Sequence, residues 1–520
     1  MTRFAGPALD SPAVLSDLLG AGLAADPDAD ALVCAEFTWS WRKLDRISRR
    51  LAQSYLELGL RPGDRFASLM PNRPRLIAHY LACFRAGLVA TPLNYRYTIA
   101  EIDHALEVSQ ARVLLVHNQR EPDLAESRLA GRLPLGRLGY PLPSQDGVAL
   151  DQLMEGEPDS SPLPDPDPDH PAVVFFTSGS TGPPKGVTHT HRTLGWMLAI
   201  ASAGLELGPG DRLLAGSSLS HVGAFYVSFG ALSAGACSVI ARSFDGDELL
   251  PLLRDGEPTV LSMLPSALFA LTRDHGASSQ DFASLRLCRA AGDSVSGELE
   301  REFAELTGLV IDQAYGLTET GLVSLSPPSG TIRAESVGTP AAGVTVELRD
   351  DHGRRVAAGE EGRLWIKTPA ASIGYWENPE ATEALFRDGW LDSGDVMRAD
   401  EDGYLYFCGR RKQIIVHDGS NICPQEIEAA LLEHPAVTAV GVVGIHDEVH
   451  GENVRAYVQP REDAQRPAAL DLIKFARERV GYKAPEEIVF LDQMPRTASG
   501  KVNRAFLKRM AADDGDADIV

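Results

Sequence analysis

Short apolar runs alternate with amphipathic helical patterns over two long parts of the chain, residues 40–117 and 211–315. In residues 41–58, apolar side chains recur at steps of three and four, which predicts an amphipathic helix. Residues 65–70 and 111–117 are short apolar runs that predict strands. Because strands that alternate with helices form parallel sheets, we predict an α/β protein. Further strands are predicted at residues 172–176, 211–217, 258–264, 285–291 and 310–315, a helix at 296–307, and an antiparallel strand at 361–367.

A change of character near Gly409 divides the chain into two parts. At 520 residues the chain is too long for a single hydrophobic core. After Gly409, a basic run and a short apolar run lead to Asp418-Gly419, which is a hairpin-turn signal, and Pro424 then opens a predicted helix. The predicted domains are residues 1–409 and 410–520, with a hinge near 410–412.

Two segments are predicted to lack regular structure. Residues 164–171 alternate proline with aspartate over most of their length, and this pattern excludes a helix or a central strand. We expect an extended connector on the surface there. The acidic segment 513–516 is predicted to be disordered.

The composition excludes several classes of protein. The formal net charge of −23 disfavours a nucleic-acid partner, which would require a basic surface. The cysteines are scattered without a CxxC pair, so they predict reduced thiols in a cytoplasmic protein and give no support to a zinc site. The N-terminus has no apolar signal core, and no apolar run approaches the length that spans a membrane. The expected partners are therefore small molecules.

The segment from Thr177 to Gly186 has the composition of a phosphate-binding loop. It holds four hydroxyl side chains, three glycines and one lysine, directly after the predicted strand 172–176. Glycine permits backbone conformations that aim successive N–H groups at one point, and Lys185 adds a mobile positive charge. A Walker-type loop is excluded, because Gly186 follows Lys185 where that motif requires Ser or Thr. A solvent-exposed Ser/Gly loop is the remaining alternative, and the buried strand before it argues against that interpretation.

The loop resembles the phosphate-binding loop of the adenylate-forming superfamily, which includes acyl-CoA synthetases, luciferases and peptide-synthetase adenylation domains. Further motifs of that family follow in the right order, and the resemblance covers nearly the whole chain. It implies a large N-terminal domain of α/β sheets with flanking helices and a small mobile C-terminal α+β domain. The resemblance assigns the ATP phosphates to Thr177, Ser178, Gly179, Ser180, Thr181 and Lys185, with Thr181 also a ligand of Mg²⁺.

The second motif, residues 315–320, resembles the family's Tyr-Gly-x-Thr-Glu block. The resemblance implies that Tyr315 stacks on adenine and that Thr318 contacts the α-phosphate. Glu319 is implied to help hold Mg²⁺, which prefers hard oxygen ligands such as carboxylates and phosphates. The other adenine-binding residues implied in this way are Ala291, Gly292, Gly316 and, beside the purine, Asp312.

Residues 389–395 resemble the family's ribose-binding segment. A carboxylate can accept hydrogen bonds from two neighbouring ribose hydroxyls, and Asp395 stands at the matching place. Arg410 matches the family's arginine that also reaches the ribose. Lys412 matches the hinge position, where element-terminal residues absorb a large change of φ and ψ. Gln413 stands where the family commonly has Asp.

Residues 495–501 resemble the family's C-terminal lysine loop, which implies that Lys501 bridges the attacking carboxylate and the α-phosphate. That role is electrostatic, since charge builds on the phosphoryl oxygens in the transition state. His221 matches the His or aromatic gate of carboxylate–CoA ligases, and no Asp follows it to pair with a substrate ammonium. The acyl pocket is expected near His221, Phe225 and Gly316.

These resemblances together predict an AMP-forming carboxylate–CoA ligase. The acid and Mg-ATP would give acyl-AMP and pyrophosphate, and CoA would then take the acyl group; residues 417–422 resemble the family loop that faces pantetheine. Three alternatives stay open: an acyl-AMP ligase that loads a carrier protein, oxidation of the adenylate as in luciferases, and a non-catalytic nucleotide-binding protein. Fatty and aryl acids are both open, as is the oligomeric state, including a homodimer.

Overall fold

Two large β-sheets with helices on their faces build most of the N-terminal part. The computed structural model describes residues 3–144, 147–177, 184–292, 295, 297–410, 413–417, 420–447, 451–461, 464–497 and 500–515. The first sheet has the order Gly374–Tyr375, Lys185–Thr190, Pro171–Thr177, Val89–Pro92, Arg65–Leu69, Val113–His117, Arg137–Tyr140 and Val148–Ala149. The second sheet has the order Thr339–Pro340, Gly321–Leu325, Ile311–Leu317, Leu287–Ala291, Val260–Met263, Arg212–Gly216, Cys237–Val239, Asp30–Val33 and Thr38–Ser40.

The central strands of both sheets run parallel, whereas antiparallel strands lie toward the edges. This arrangement confirms the α/β class that the alternation of strands and helices predicts. A parallel neighbour requires a crossover connection, and the helices between the strands supply it.

A third sheet is antiparallel and precedes the predicted domain boundary. It consists of Arg3–Ala5, Thr345–Arg349, Glu361–Lys367, Trp390–Ala399 and Phe386–Arg387, with Leu405–Arg410 paired to Trp390–Ala399. Glu361–Lys367 pairs antiparallel on both sides, as its alternating pattern predicts.

A fourth sheet is formed only by strands after the predicted boundary. It consists of Ser420–Ile422, Ile415–His417, Gly451–Pro460 and Val437–Asp447, with Glu487–Phe490 paired to Gly451–Pro460. Its core is a separate cluster that includes Ile427, Leu431 and Val442. The structure thus has a large N-terminal and a small C-terminal domain, and the boundary at residue 410 stays a prediction.

The helices follow the apolar periodicity of the sequence, and side-chain caps fix several of their first turns. Ser40 accepts a hydrogen bond from the Lys43 N–H, and Thr98 forms a capping box with Glu101. The α-helices are Gly20–Ala25, Trp41–Glu57, Pro74–Arg85, Ile99–Ser109, Leu150–Leu153, His191–Gly204, Val222–Ser233, Gly246–Asp255, Pro265–Phe269, Gly297–Thr307, Pro379–Leu385, Pro424–Leu432, Ala469–Val480 and Arg504–Gly515. Within the described ranges, no helix is long and apolar enough to cross a membrane.

The main hydrophobic core lies between the first and second sheets. It joins Phe175 of the first sheet to Leu213 of the second through helices such as Val222–Ser233, whose Phe225 and Phe229 rings stack at 4.4 Å. Burial of this apolar surface is the main stabilising term of the fold.

Most predicted elements are confirmed, and the differences have local causes. The predicted strand 172–176 extends over Pro171–Thr177. Pro171 pairs antiparallel with Thr190, so it is the first residue of this strand and not the last residue of the connector. The prediction of disorder at 513–516 is wrong for 513–515, because the last helix extends to Gly515. The turn Asp418-Gly419 lies outside the described residues, while the strands on either side of it pair as a hairpin.

Candidate active site

One cavity of about 1770 Å³ opens where the two large sheets, the third sheet and the C-terminal domain meet. Its walls come from the ends of strands and from loops, where functional side chains are commonly placed on a rigid scaffold. Ten of the predicted site residues line it: Thr177, Lys185, His221, Ala291, Gly292, Gly316, Thr318, Glu319, Arg410 and Lys501. The predicted residues Ser178, Gly179, Ser180, Thr181 and Lys412 lie outside the described part of the chain.

A hairpin brings the two ends of the predicted phosphate loop together. Thr177 and Lys185 are paired residues of adjacent antiparallel strands, so the loop between them starts and ends at the same wall. The Lys185 ammonium lies 4.9 Å from the centre of the Tyr375 ring, which is a cation–π contact. The hairpin therefore presents one positive charge and a hydroxyl to the cavity.

A buried carboxylate, a phenol and a guanidinium form one hydrogen-bonded group behind the predicted nucleoside wall. The Tyr315 hydroxyl donates to Asp395 Oδ2 at 2.5 Å, and Arg410 Nε donates to Asp395 Oδ1 at 3.0 Å. Burial raises the pKa of Asp395, and the nearby Arg410 charge opposes the shift. Arg410 lines the cavity. Tyr315 and Asp395 do not, but Gly316 and Gly394, their neighbours in the chain, do.

The loop that carries Thr318 and Glu319 is held from three sides. The Tyr375 hydroxyl donates to Glu319 Oε1 at 2.8 Å, and the Ser372 N–H donates to the Glu319 carbonyl at 2.7 Å. The ring of His189, buried in the core, donates its Nε2–H to the Thr318 carbonyl at 2.8 Å. Burial lowers the pKa of His189 to about 4, so the ring is neutral at pH 7. Tyr375 and His189 are site residues that the sequence analysis missed.

Asp312, which is predicted beside the purine, forms hydrogen bonds within the second sheet. Its carboxylate is buried, accepts both Nε (3.1 Å) and Nη2 (2.9 Å) of Arg289, and also accepts the Ser326 N–H. Asp312 does not line the cavity. Its hydrogen bonds instead join the strand Ile311–Leu317 to its neighbours.

The turn that carries Lys501 brings this residue from the C-terminal domain into the cavity. The Gly500 N–H donates to the Thr497 carbonyl and the Thr497 N–H to the Lys501 carbonyl, at 2.9 and 2.7 Å. Gly500 has φ +85°, a conformation that glycine adopts without strain. The tight turn thereby places a lysine opposite the walls of the large domain.

His221 faces Lys501 across the cavity. Burial lowers the pKa of His221 to about 4, with smaller contributions from the charges of Lys501 and Arg96. The Asn94 amide nitrogen lies 3.1 Å from His221 Nε2 and can only donate, so this Nε2 accepts. The ring is therefore neutral and fixed in orientation. Phe225, expected in the acyl pocket, is buried in the core, and Tyr226 lines the cavity in its place.

The positively charged hairpin, the carboxylate group around Asp395 and the turn that carries Lys501 lie around one cleft, as in an enzyme that binds a nucleotide and a second substrate. The chain belongs to the AMP-binding enzyme family: residues 21–376 match the model described as AMP-binding enzyme, and residues 426–501 match the model described as AMP-binding enzyme C-terminal domain. The recognition made from the sequence motifs is thus confirmed.

Individual relatives agree with this assignment. A feruloyl-CoA synthase from Amycolatopsis sp is 33% identical over 93% of this chain and 96% of its own. The fatty acid–[acyl-carrier-protein] ligase ScoC from Streptomyces coeruleorubidus is also 33% identical, over 93% of each chain. ATP-bound MatB from Rhodopseudomonas palustris is 26% identical and covers 97% of this chain and 99% of its own, with a TM-score of 0.87. The ligand-free form of MatB gives a TM-score of 0.77.

Proposed function

We propose that the protein activates a carboxylic acid with Mg-ATP and then transfers the acyl group to CoA. In the first step a carboxylate oxygen bonds to the α-phosphorus and pyrophosphate leaves, which gives acyl-AMP. In the second step the CoA thiolate bonds to the acyl carbon and AMP leaves. The observation that carries the proposal is that Lys501 of the C-terminal domain lines the same cavity as Lys185, Glu319 and Arg410.

The hairpin and the loop after Tyr315 would hold the triphosphate. Lys185 and Thr177 contribute a charge and a hydroxyl, and we assign Ser178, Gly179, Ser180 and Thr181 to the same task on the strength of their motif alone. Thr318 would donate its hydroxyl to the α-phosphate.

Glu319 suits a magnesium ion, because it is a hard oxygen donor in the cavity and Tyr375 occupies only its Oε1 among the described residues. The ion, when bound by Glu319, Thr181 and the phosphates, would neutralise charge on the triphosphate. Tyr375 orients the carboxylate through Oε1 and leaves Oε2 available to the ion.

The nucleoside would lie between the small residues Ala291, Gly292 and Gly316 and the group around Asp395. We assign the ribose hydroxyls to Asp395 on the strength of its motif, and Arg410, which lines the cavity, would donate to the ribose. Because Tyr315 already donates to Asp395, this carboxylate is oriented before a ligand binds.

Lys501 would stabilise the charge that builds as the carboxylate approaches the α-phosphate. The thiol must later reach the same carbonyl carbon, so we propose that the domain from residue 410 onward rotates about Lys412 between the two steps. The better match to ATP-bound than to ligand-free MatB supports the view that the present domain arrangement is the one for adenylation.

Two acceptors compete for the second step, because similar proteins are a CoA synthase and a carrier-protein ligase. We favour CoA.

Purified protein would be given ATP, Mg²⁺ and a radiolabelled acid, first alone, then with CoA, then with a pantetheinylated carrier protein. Acid-dependent pyrophosphate exchange without acceptor, followed by label in acyl-CoA, is expected. Label only on the carrier would replace the CoA assignment, and no exchange with any acid would refute the enzyme function.

We also propose a cellular location and an oligomeric state for this protein. Reduced thiols suit the cytoplasm, and the described cysteines form no disulfide. A homodimer is proposed as the assembly to test, by light scattering of the purified chain.

A further inference from the structure

Two polar side chains, those of Tyr226 and Ser262, lie in the wall of the cavity near the predicted acyl pocket. Tyr226 on the helix Val222–Ser233 and Ser262 on the strand Val260–Met263 both line the cavity there. Arg289 is the register partner of Ser262 on the neighbouring parallel strand, so the two side chains emerge on the same face. Arg289 also shares that face with Ala291, which lines the cavity two residues further along. An arginine thus lies directly behind the floor of the pocket.

The hydrogen-bonding capacity of Arg289 is only partly used. Its side chain is 2% exposed, and Nε and Nη2 both donate to Asp312 Oδ2. Its Nη1, also buried, has no acceptor among the described residues. A buried donor without an acceptor is destabilising, so an acceptor supplied by a ligand would be favoured.

The Tyr226 hydroxyl is a second donor at the same place. Burial raises the pKa of Tyr226, and the positive charge of Arg289 opposes the shift, so the hydroxyl stays protonated and lies within electrostatic range of the guanidinium. None of the described residues forms a hydrogen bond with this hydroxyl, although Tyr226 is only 6% exposed.

The sign of the local charge restricts the ligand further. Asp312 already balances the charge of Arg289, since the two form a buried ion pair. A second carboxylate at this place would therefore meet a neutral pair and leave one buried negative charge uncompensated, which is costly. A neutral oxygen acceptor avoids that cost.

We propose that the acid activated by this protein carries a neutral hydrogen-bond acceptor, such as a hydroxyl oxygen, at the end far from its carboxylate, and that the Tyr226 hydroxyl, with the Arg289 guanidinium behind it, binds this acceptor. This inference rests on the proposed function and specifies its substrate class. Tyr226, which lines the cavity, and Arg289, which is buried behind it, act as specificity-determining residues, because they would act on the far end of the acid and not on the reacting atoms. An unsubstituted alkyl or aryl acid leaves both donors unpaired and is discriminated against.

The test compares acids of one size that differ at the far end. Pyrophosphate release would be measured with benzoates, cinnamates and medium-chain alkanoates that end in a hydroxyl, a methyl or a carboxyl group. In the scaffold that is turned over fastest, we expect kcat/KM for the hydroxyl member to exceed that for the methyl member about 10-fold or more. Equal values for hydroxyl and methyl, or a preference for the carboxyl member, would overturn the inference while leaving acid activation intact.

Two variants connect the preference to these residues. Tyr226→Phe removes one donor without unpairing any described group, and Arg289→Lys keeps the charge beside Asp312 but removes Nη1. Each should reduce the hydroxyl-to-methyl ratio to within about 3-fold, through KM for the acid more than through kcat. Arg85→Lys is the matched control, because Arg85 is also buried and paired, with Asp45, away from the cavity.

The outcomes separate the two proposals. An unchanged ratio in Tyr226→Phe refutes the inference even if Arg289→Lys does not fold. If no acid of any series releases pyrophosphate, the proposed function itself is refuted and the inference with it.

Discussion

Tyr375 links two features of the site that the motifs describe separately. Its ring lies against the Lys185 ammonium, and its hydroxyl orients Glu319. Burial raises the pKa of Tyr375, with the Glu319 charge adding to the shift, so the hydroxyl remains a donor throughout the physiological range. Tyr375 is thereby a positioning residue for the proposed magnesium ligand.

Tyr375→Phe should preserve the cation–π contact and release Glu319. We expect kcat for adenylation to fall about 10-fold and the Mg²⁺ concentration for half-maximal rate to rise by a similar factor, as is typical when the partner of a metal ligand is lost. Pyrophosphate release measured against Mg²⁺ concentration tests this.

Tyr404→Phe provides the control, since it removes a hydroxyl that donates to the Thr331 carbonyl at 2.7 Å, away from the cavity. An unchanged Mg²⁺ dependence in Tyr375→Phe would show that Glu319 does not depend on this hydrogen bond.

Motif residues could be predicted from the sequence, but their supporting partners could not. Lys185 and Lys501 each lie within a short motif of consecutive residues, so the sequence alone is enough to recognise them. Tyr375 and Glu319 are 56 residues apart, and His189 and Thr318 are 129 apart, so only the topology brings them together. The partner of Asp312 could not be read from the sequence for the same reason, because Arg289 lies 23 residues away on the adjacent strand.

At the scale of elements, the end of the third sheet meets the start of the C-terminal domain at Gly409. This residue has φ +132°, and a Cβ there would lie 2.9 Å from Cys423 Sγ, at the start of the helix Pro424–Leu432. A side chain at this position would therefore be both strained and in contact with the second domain.

Gly409→Ala should lower the free energy of unfolding by about 1–2 kcal/mol from backbone strain alone, with an added cost from the contact. Chemical denaturation would measure it. Gly353→Ala is the matched control, because φ is +77° and no atom lies within 4 Å of the added Cβ. If both variants lose equal stability, the contact with Cys423 contributes nothing.

Long elements with a clear period were predictable, and short edge strands were not. Glu361–Lys367 shows its alternation in the sequence, whereas Gly374–Tyr375 has only two residues and exists because it pairs with Thr188 and Val187. Strand order within each sheet could not be read either, because it depends on which apolar faces the helices cover.

For the whole molecule, buried neutral histidines connect stability to pH. Burial lowers the pKa of His79 to about 3 and those of His189, His191 and His221 to about 4. Between these values and about 6.5 the unfolded chain binds more protons than the folded one. Stability from these groups is therefore fully present above pH 6.5 and is lost as the pH falls toward 4.

Denaturation at a series of pH values should show this loss. A His189→Gln variant should reduce the slope of unfolding free energy against pH between about 4 and 6.5 by roughly one proton. An unchanged slope would mean that His189 is protonated in the folded protein.

The central claim is that the C-terminal domain supplies the decisive cation for adenylation and not for thioester formation. The most direct measurement is the rate of each half-reaction in Lys501→Ala, with Lys508→Ala, an exposed lysine of the last helix, as the control. We predict that acyl-AMP formation falls roughly 100- to 1000-fold, as when one preorganised donor is lost, while thioester formation from supplied acyl-AMP and CoA persists. An equal loss in both half-reactions, or no loss in the first, would contradict the account.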